Sequence, residues 1–181
     1  MTSSNENLSA FLSLFEKWNR SINLSAATTR AELDEHLVDS LHVVPHLHSY
    51  HRVLDVGSGG GFPVVVAAIS LPDVSFMALE PVHKKHAFLR TAARELSLPN
   101  LEARAERLED HEVRDYDAAM SRATFDLAEW LTRGTEYVRP GGVVLGFEAV
   151  ERKDLGEVDR DRYSIVGKAR AIVTVRSTRS T

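Results

Sequence analysis

A run of glycines set between two apolar stretches is the part of this 181-residue chain best suited to hold a ligand. Gly57, Ser58, Gly59, Gly60 and Gly61 follow Val53, Leu54 and Val56, which read as a short buried strand. Phe62-Pro63 then opens the apolar run VVVAAIS, read as a helix from Pro63 to about Ser70. Strand, glycine turn and helix together bring backbone N–H groups up to a bound molecule. A second apolar run, Val74 to Leu79, ends in Glu80. A carboxylate about 20 residues beyond such a turn, at a strand's C-terminal end, is placed to bind a pair of ribose hydroxyls. The pattern Gly57-x-Gly59-x-x-Phe62 lacks the third glycine of a dinucleotide fingerprint, which favours a nucleoside ligand without a pyrophosphate. The alternative is a glycine-rich turn with no ligand.

Other residues with chemical potential lie apart in the sequence. His36, Asp39 and Ser40 are three and four positions apart, so on a helix they share one face. That face points into a cleft or is simply solvated. Glu109 and Arg122 each follow an apolar run, where strand ends would converge on a ligand. His83, Lys84, Lys85 and His86, with Arg90 beyond, make a helix start basic. Cations there oppose the helix dipole, so they mark either a solvated face or an anionic partner. His42, His46, His48 and His51 do not make a metal site, because their spacing crosses a helix end with no interleaved carboxylate.

These residues need a scaffold, and the hydrophobic pattern supplies one. Residues 1–6 are polar and expected to fray. Leu8, Phe11, Leu12, Phe15 and Trp18 recur at helical spacing. After a polar loop from Asn19 to Thr28, Thr29 and Glu32 have the spacing of a capping box, which predicts a helix to about His46. Strands are expected over 52–56, 74–80, 101–105, 116–120 and 143–147. Helices are expected over about 83–97 and 126–137. Arg139-Pro140-Gly141-Gly142 reads as a tight turn. Tyr163–Val166 and Ala171–Val175 read as an antiparallel edge hairpin, after a polar stretch over 149–162 and before a polar tail over 176–181. The alternation implies an α/β fold with a parallel-cored sheet and helices on both faces. The expected organisation is an N-terminal helical segment, 1–48, packed on a core of 49–181, within one structural domain overall.

Composition narrows the function. The chain has no cysteine, so disulfides and thiolate metal sites are excluded. The start MTSSNENLSAF lacks the regions of a secretory signal, and no apolar run approaches membrane-spanning length, so a cytoplasmic protein is expected. A net charge of -4 means that any nucleic-acid binding must use a local basic face.

Taken together, EKWNRSINLS (16–25), HLVDSL (36–41), LDVGSGGGFP (54–63), LEPVHKKHAFL (79–89), RLE (107–109), SRA (121–123) and RPGG (139–142) resemble the bacterial glucose-inhibited division protein B family. Its members are S-adenosylmethionine-dependent methyltransferases acting on guanine N7 in small-subunit ribosomal RNA. The resemblance covers about residues 11–145. It implies a three-layer Rossmann-like class I methyltransferase sheet with N-terminal helices and a C-terminal hairpin. It also implies S-adenosylmethionine as cofactor, held by Gly57, Ser58, Gly59, Glu80, Leu108 and Glu109. Asn23, His36, Asp39 and Ser40 would line the substrate entrance. Arg122 would stand near the target base, with Arg122, His36 and Asp39 as the catalytic group. Lys84 and Lys85 would belong to a face for ribosomal RNA or a small-subunit ribonucleoprotein, met by a monomer. No metal is implied. Three positions depart from the family pattern: Val64 replaces a glycine, Glu35 an arginine, and Glu148-Ala149 a Lys-Gly pair. Carboxylates at 35 and 148 are expected to repel a backbone phosphate. That expectation keeps open a small-molecule acceptor, another nucleic acid, or a cofactor-binding protein without catalysis.

Overall fold

The computed structural model describes residues 4–27 and 29–179. The rest of the expected frayed start, Thr28 of the first loop and the end of the polar tail lie outside the described residues. Helix α1, Ser4–Ile22, begins within the polar start, with Glu6 in its first turn complementing the helix dipole. Phe11, Leu12, Leu14 and Phe15 form its buried stripe. Helix α2, Arg30–Leu41, opens on the anticipated capping box: Glu32 N–H donates to Thr29 Oγ1, and Thr29 N–H donates to the Glu32 carboxylate.

The helix expected to reach His46 stops at Leu41, and a separate turn, α3, follows over Val44–Leu47. Pro45 has no N–H to continue the ladder, and its ring would collide with the preceding turn.

Seven strands form one sheet in the order β3-β2-β1-β4-β5-β7-β6. They are β1 Arg52–Val56, β2 Ser75–Leu79, β3 Leu101–Arg104, β4 Tyr116–Ser121, β5 Val138–Glu148, β6 Asp159–Ile165 and β7 Lys168–Arg176. The first five pair in parallel, and β7 runs antiparallel between β5 and β6. The hairpin therefore adds two strands by inserting its second one beside β5. Helices α4 (Val64–Ser70), α5 (His83–Glu95) and α6 (Leu127–Arg133) connect the parallel strands. β1 lies between β2 and β4, so the strand order reverses there, and a crevice opens at its C-terminal end.

Two segments depart from expectation. Residues 139–142 do not break the strand but bulge within β5: Tyr116 faces Val138 while Ala118 faces Val143. Ser177 N–H and Gly142 O close the bulge at 2.8 Å, so the tail is tied into the sheet at that point. The polar stretch over 149–162 also contributes the start of β6: Asp159, Arg160, Asp161 and Arg162 each pair with β7, with all but Arg160 exposed.

The two faces of the sheet have separate cores. Val53, Phe76, Ala118, Met120, Leu145 and Ile172 meet α1, α2, α4 and α5 on one face. Leu54, Val56, Ala119, Val144 and Val173 meet Trp130 and Leu131 of α6 on the other. The first face centres on aromatic rings. Phe15 lies 5.3 Å from Phe62 and 5.9 Å from Phe88, and Phe11 lies 5.0 Å from Phe62. Gly60 makes this packing possible, since a Cβ there would sit 2.5 Å from the Phe15 ring. Phe15→Ala is expected to destabilise the protein by about 3–5 kcal/mol through lost burial and the cavity left behind. Urea unfolding followed by circular dichroism measures it, and a loss below about 1 kcal/mol would show that the ring is dispensable.

Candidate active site

The crevice at the end of β1 is built from backbone. Gly57 and Ser58 N–H groups both donate to Leu79 O, at 2.9 and 3.1 Å, which joins the turn to the end of β2. Gly57, Gly59 and Gly61 hold φ of 71°, 52° and 84°, a region that side chains disfavour. At Gly57 a side chain is doubly excluded, because the Thr124 hydroxyl would stand 2.0 Å from its Cβ. Glu80 braces this turn from β2. Its Oε2 accepts from Gly59 N–H at 2.8 Å and its Oε1 from Val82 N–H at 2.8 Å. Each carboxylate oxygen keeps acceptor capacity for a further donor.

Asp55, one residue before the strand's last, is a group that sequence reasoning missed. It is 1 % exposed, and its Oδ2 has no hydrogen-bond partner. Burial pushes its pKa up to about 7, with Glu80 adding to the effect and Ser58 and Arg122 opposing it. A buried carboxylate without a partner is a position that calls for a cation. The signal was present in the sequence: an acid inside an otherwise apolar strand, directly before the glycines.

A second group of side chains gathers beside the first. Arg122 follows β4 and its Nη1 lies 3.2 Å from Asp39 Oδ2 and 3.5 Å from His36 Nδ1. The guanidinium sits 5.7 Å above the Phe62 ring, and the His36 ring is 5.6 Å from the same ring. Phe62 thus joins the glycine turn to α2 and Arg122. Burial, and then Arg122, lower the pKa of His36, so it is neutral at pH 7. Asp39 Oδ1 accepts from Tyr163 O–H at 2.7 Å, and burial together with Asp39 holds that phenol in its neutral form. Tyr163, on β6, was not anticipated as part of this group, because 124 residues separate it from Asp39.

These residues border a cleft of about 450 Å³. His36, Asp39 and Arg122 form one wall, and Phe125, Leu127, Trp130 and Phe147 form an apolar one. Ser25 lines the cleft, whereas Asn23 is exposed at φ 53° in the preceding turn. That turn is organised by Asn19, whose amide accepts from Ser25 N–H at 3.0 Å and donates to Ala27 O at 2.9 Å. Ser40 is fully buried and donates to His36 O at 2.7 Å, so it braces α2 from inside. Leu108 is buried in a 3-10 turn over Leu108–Asp110, and its carbonyl accepts from Tyr137 O–H at 2.8 Å. Glu109 faces Arg133 of α6 in an ion pair, and a hydrogen bond from its own backbone, followed by that from Arg133, lowers the pKa of its carboxyl. Lys84 and Lys85 lie at the start of α5, away from the cleft walls, with no carboxylate within ion-pair distance among the described residues.

The two carboxylates expected to repel phosphate are compensated. Glu35 pairs with Lys168 Nζ at 3.0 Å, and the buried Glu148 pairs with Arg160 Nε at 3.0 Å. Glu148 also accepts from Arg152 N–H at 2.8 Å. Of the four histidines, His42 stacks on Tyr163 at 3.8 Å, His46 meets Asp161 at 3.0 Å and His48 Nδ1 lies 2.6 Å from Pro45 O.

Because the folded-state pKa of Asp55 is raised from 3.8 to about 7, native protein holds a proton there that unfolded chain has released. Between those values stability falls as pH rises, by up to about 1.4 kcal/mol per unit, and the cost is complete above pH 7. Asp55→Asn is therefore expected to raise the melting temperature at pH 8 and to change it little at pH 4. Equal effects at both pH values in calorimetric melts would exclude a titrating Asp55.

The fold has counterparts among solved structures. The O-methyltransferase TomG from Streptomyces achromogenes, solved in complex with S-adenosylmethionine, superposes with a TM-score of 0.62 at 17% identity, covering 93% of this chain and 89% of that one. At that identity the likeness shows a shared fold. Sequence relatives are nearer. The Ribosomal RNA small subunit methyltransferase G of Chromobacterium violaceum is 41% identical over 128 residues, covering 70% of this chain and 61% of that protein. The protein of the same name from Geobacter sp. strain M21 is 33% identical over 166 residues, covering 90% of this chain and 76% of its own length. The chain thus spans less than two thirds of the first relative and about three quarters of the second. A family model described as GidB, rRNA small subunit methyltransferase G, matches residues 4–180. The chain belongs to the family so described.

Proposed function

We propose that this protein transfers a methyl group from S-adenosylmethionine to guanine N7 in small-subunit ribosomal RNA. It would work as a monomer in the cytoplasm, on RNA or a ribonucleoprotein intermediate. The observation that carries the proposal is the adjacency of two dissimilar sites. A backbone turn with two buried carboxylates, Asp55 and Glu80, adjoins a cleft holding Arg122, His36 and Asp39.

The first site fits the cofactor's chemistry. S-adenosylmethionine, when bound, supplies an electrophilic methyl on a sulfonium. The partnerless Oδ2 of Asp55 suits its ammonium group, and the spare acceptor capacity of Glu80 suits its ribose hydroxyls. Gly57, Ser58 and Gly59 let its backbone approach closely, and the buried Leu108 offers an apolar contact for adenine, with Glu109 beside it. The second site fits an acceptor that needs alignment more than proton transfer. Guanine N7 carries a lone pair and no proton, so no general base is required. Held at Nη1 by Asp39, Arg122 keeps its other N–H groups to bond O6 of the base and so align N7 behind the methyl, while the Asp39 carboxylate offsets the positive charge that the base takes up as N7 is alkylated. His36, neutral at pH 7, adds no repulsion to the guanidinium. The compensated Glu35 and Glu148 remove the electrostatic objection to a phosphate backbone. Lys84 and Lys85 supply unpaired positive charge outside the cleft.

No helix among the described residues is long and apolar enough to cross a membrane.

Labelled methyl transfer to ribosomal RNA, to small-subunit particles lacking the modification, and to a metabolite extract tests the proposal. Label at one guanine N7, falling steeply with added salt, is the expected result. Label found only in a small molecule would overturn it, the apolar wall of Phe125, Trp130 and Phe147 then serving that acceptor. Arg122→Ala is expected to cost about a hundredfold in kcat while leaving cofactor affinity within a few fold, as for a lost contact that aligns the acceptor. Glu80→Ala should show the opposite split, with loss of cofactor affinity of about tenfold or more by calorimetry.

A further inference from the structure

The two most exposed large apolar side chains described in the structure are Val166 at 77 % and Val150 at 79 %. Isolated surface valines are ordinary. These two differ in position and in backbone. Val150 follows Ala149, and Val166 follows Ile165, and both of those neighbours line the cleft that holds Arg122. The valines therefore stand at its rim, from two different segments.

Val166 is also strained. With Gly167 it forms the two-residue turn between β6 and β7, at φ 49° and 73°. Such a turn favours Asn-Gly, and a β-branched residue in this region is an outlier. The chain gains no packing in return, since the side chain points into water. An unfavourable backbone conformation that displays an apolar group beside a functional cleft is a reason to look for a ligand surface.

Charge indicates which ligand. Arg170 lines the same cleft and donates only to the carbonyls of Ala149 and Ala169, with no carboxylate within ion-pair distance among the described residues. Its Nη1 meets the carbonyl of Ala149, next to Val150, and it stands on the strand that follows the Val166 turn. The hairpin is tied down at three points: Lys168 pairs with Glu35 and Tyr163 bonds Asp39, both on α2, and Asp161 meets His46 on α3. Two exposed apolar side chains at the rim of a cleft lined by a guanidinium without a carboxylate partner match an opened nucleotide stack, which offers apolar base faces beside an anionic backbone.

We propose that Val150 and Val166 are wedges that hold open the RNA stack around the acceptor nucleotide, each bearing on a neighbouring base while Arg170 takes the intervening phosphate. The inference rests on the RNA reading above and adds the means by which the acceptor base leaves its stack. A base attacked at an edge deep in folded RNA must be unstacked before it enters a cleft, and wedging residues offset that cost.

The test compares wild type with Val166→Asn and Val150→Ser, singly and together, on the RNA that wild type labels. Asparagine relieves the turn, so Val166→Asn should melt no lower than wild type. Each single substitution is expected to lower kcat/KM on RNA about tenfold, the equivalent of one lost base stack, with cofactor affinity unchanged. With 2-aminopurine replacing the base beside the labelled guanine, wild type should raise its fluorescence on binding and the double variant should not. If the double variant matches wild type in turnover and fluorescence, the wedge is overturned while the RNA reading stands. If wild type transfers no label to any RNA, both fall.

Discussion

One carboxylate holds the ligand end of this fold in shape. Glu80 accepts from the N–H of Gly59 and from that of Val82, and so fastens the turn after β1 to the chain leaving β2. Three residues of the turn sit at positive φ, so nothing intrinsic to the backbone holds them there. The carboxylate and the Leu79 carbonyl supply the constraint from outside. Because charge-assisted bonds to buried N–H groups are among the stronger ones available, the turn is preorganised before any ligand arrives. The rest follows in sequence: Gly60 can accept Phe15, Phe15 brings α1 onto the core, and Phe62 is set beneath Arg122.

The second organising feature is α2, which is held from both sides. Its inner face packs through Leu33 and buried Ser40, while its outer face is tied to the C-terminal hairpin through Glu35, Asp39 and His46 just beyond its end. The Arg122–Asp39 pair in the middle is largely removed from water, at 19 % and 15 % side-chain exposure. Ion pairs of this kind seldom add much net stability, because desolvation offsets attraction. Their value is geometric. Tyr163 occupies one Asp39 oxygen, so the other is left for a single nitrogen of Arg122. The carboxylates at 35 and 148 fit the same picture. Each has a cation from the hairpin, Lys168 or Arg160, so each is part of a tether instead of a net negative surface.

Local chemistry was readable wherever it depended on neighbours in the chain. The glycine turn, the Thr29–Glu32 cap and β1 over 52–56 all stand where the pattern placed them, since period, cap and turn residues act within a few positions. The seven-residue α4 and the parallel strands were legible for the same reason. Boundaries shifted where tertiary pairing prevailed over turn chemistry: Arg139–Gly142 looks like a turn but is carried within β5 as a bulge, because its flanks pair with β4 and its edge with Ser177.

What the sequence determined by itself was therefore the α/β order, the glycine turn with Glu80 at the end of the next strand, and the set of charged residues at strand ends. Only the tertiary structure decided which of them meet. Asn23 and Ser40 have suitable chemistry, yet one faces solvent in a turn and the other is enclosed beneath α2, leaving Ser25 on the cleft wall. Asp55 read as part of a buried strand, and its orphaned oxygen exists only because the layers around it exclude water and supply no donor. Tyr163 joins Asp39, and Lys168 joins Glu35, because β7 inserts beside β5 and brings β6 back over α2. Pairings across more than a hundred residues depend on sheet order and burial, and neither has a local signature in the chain.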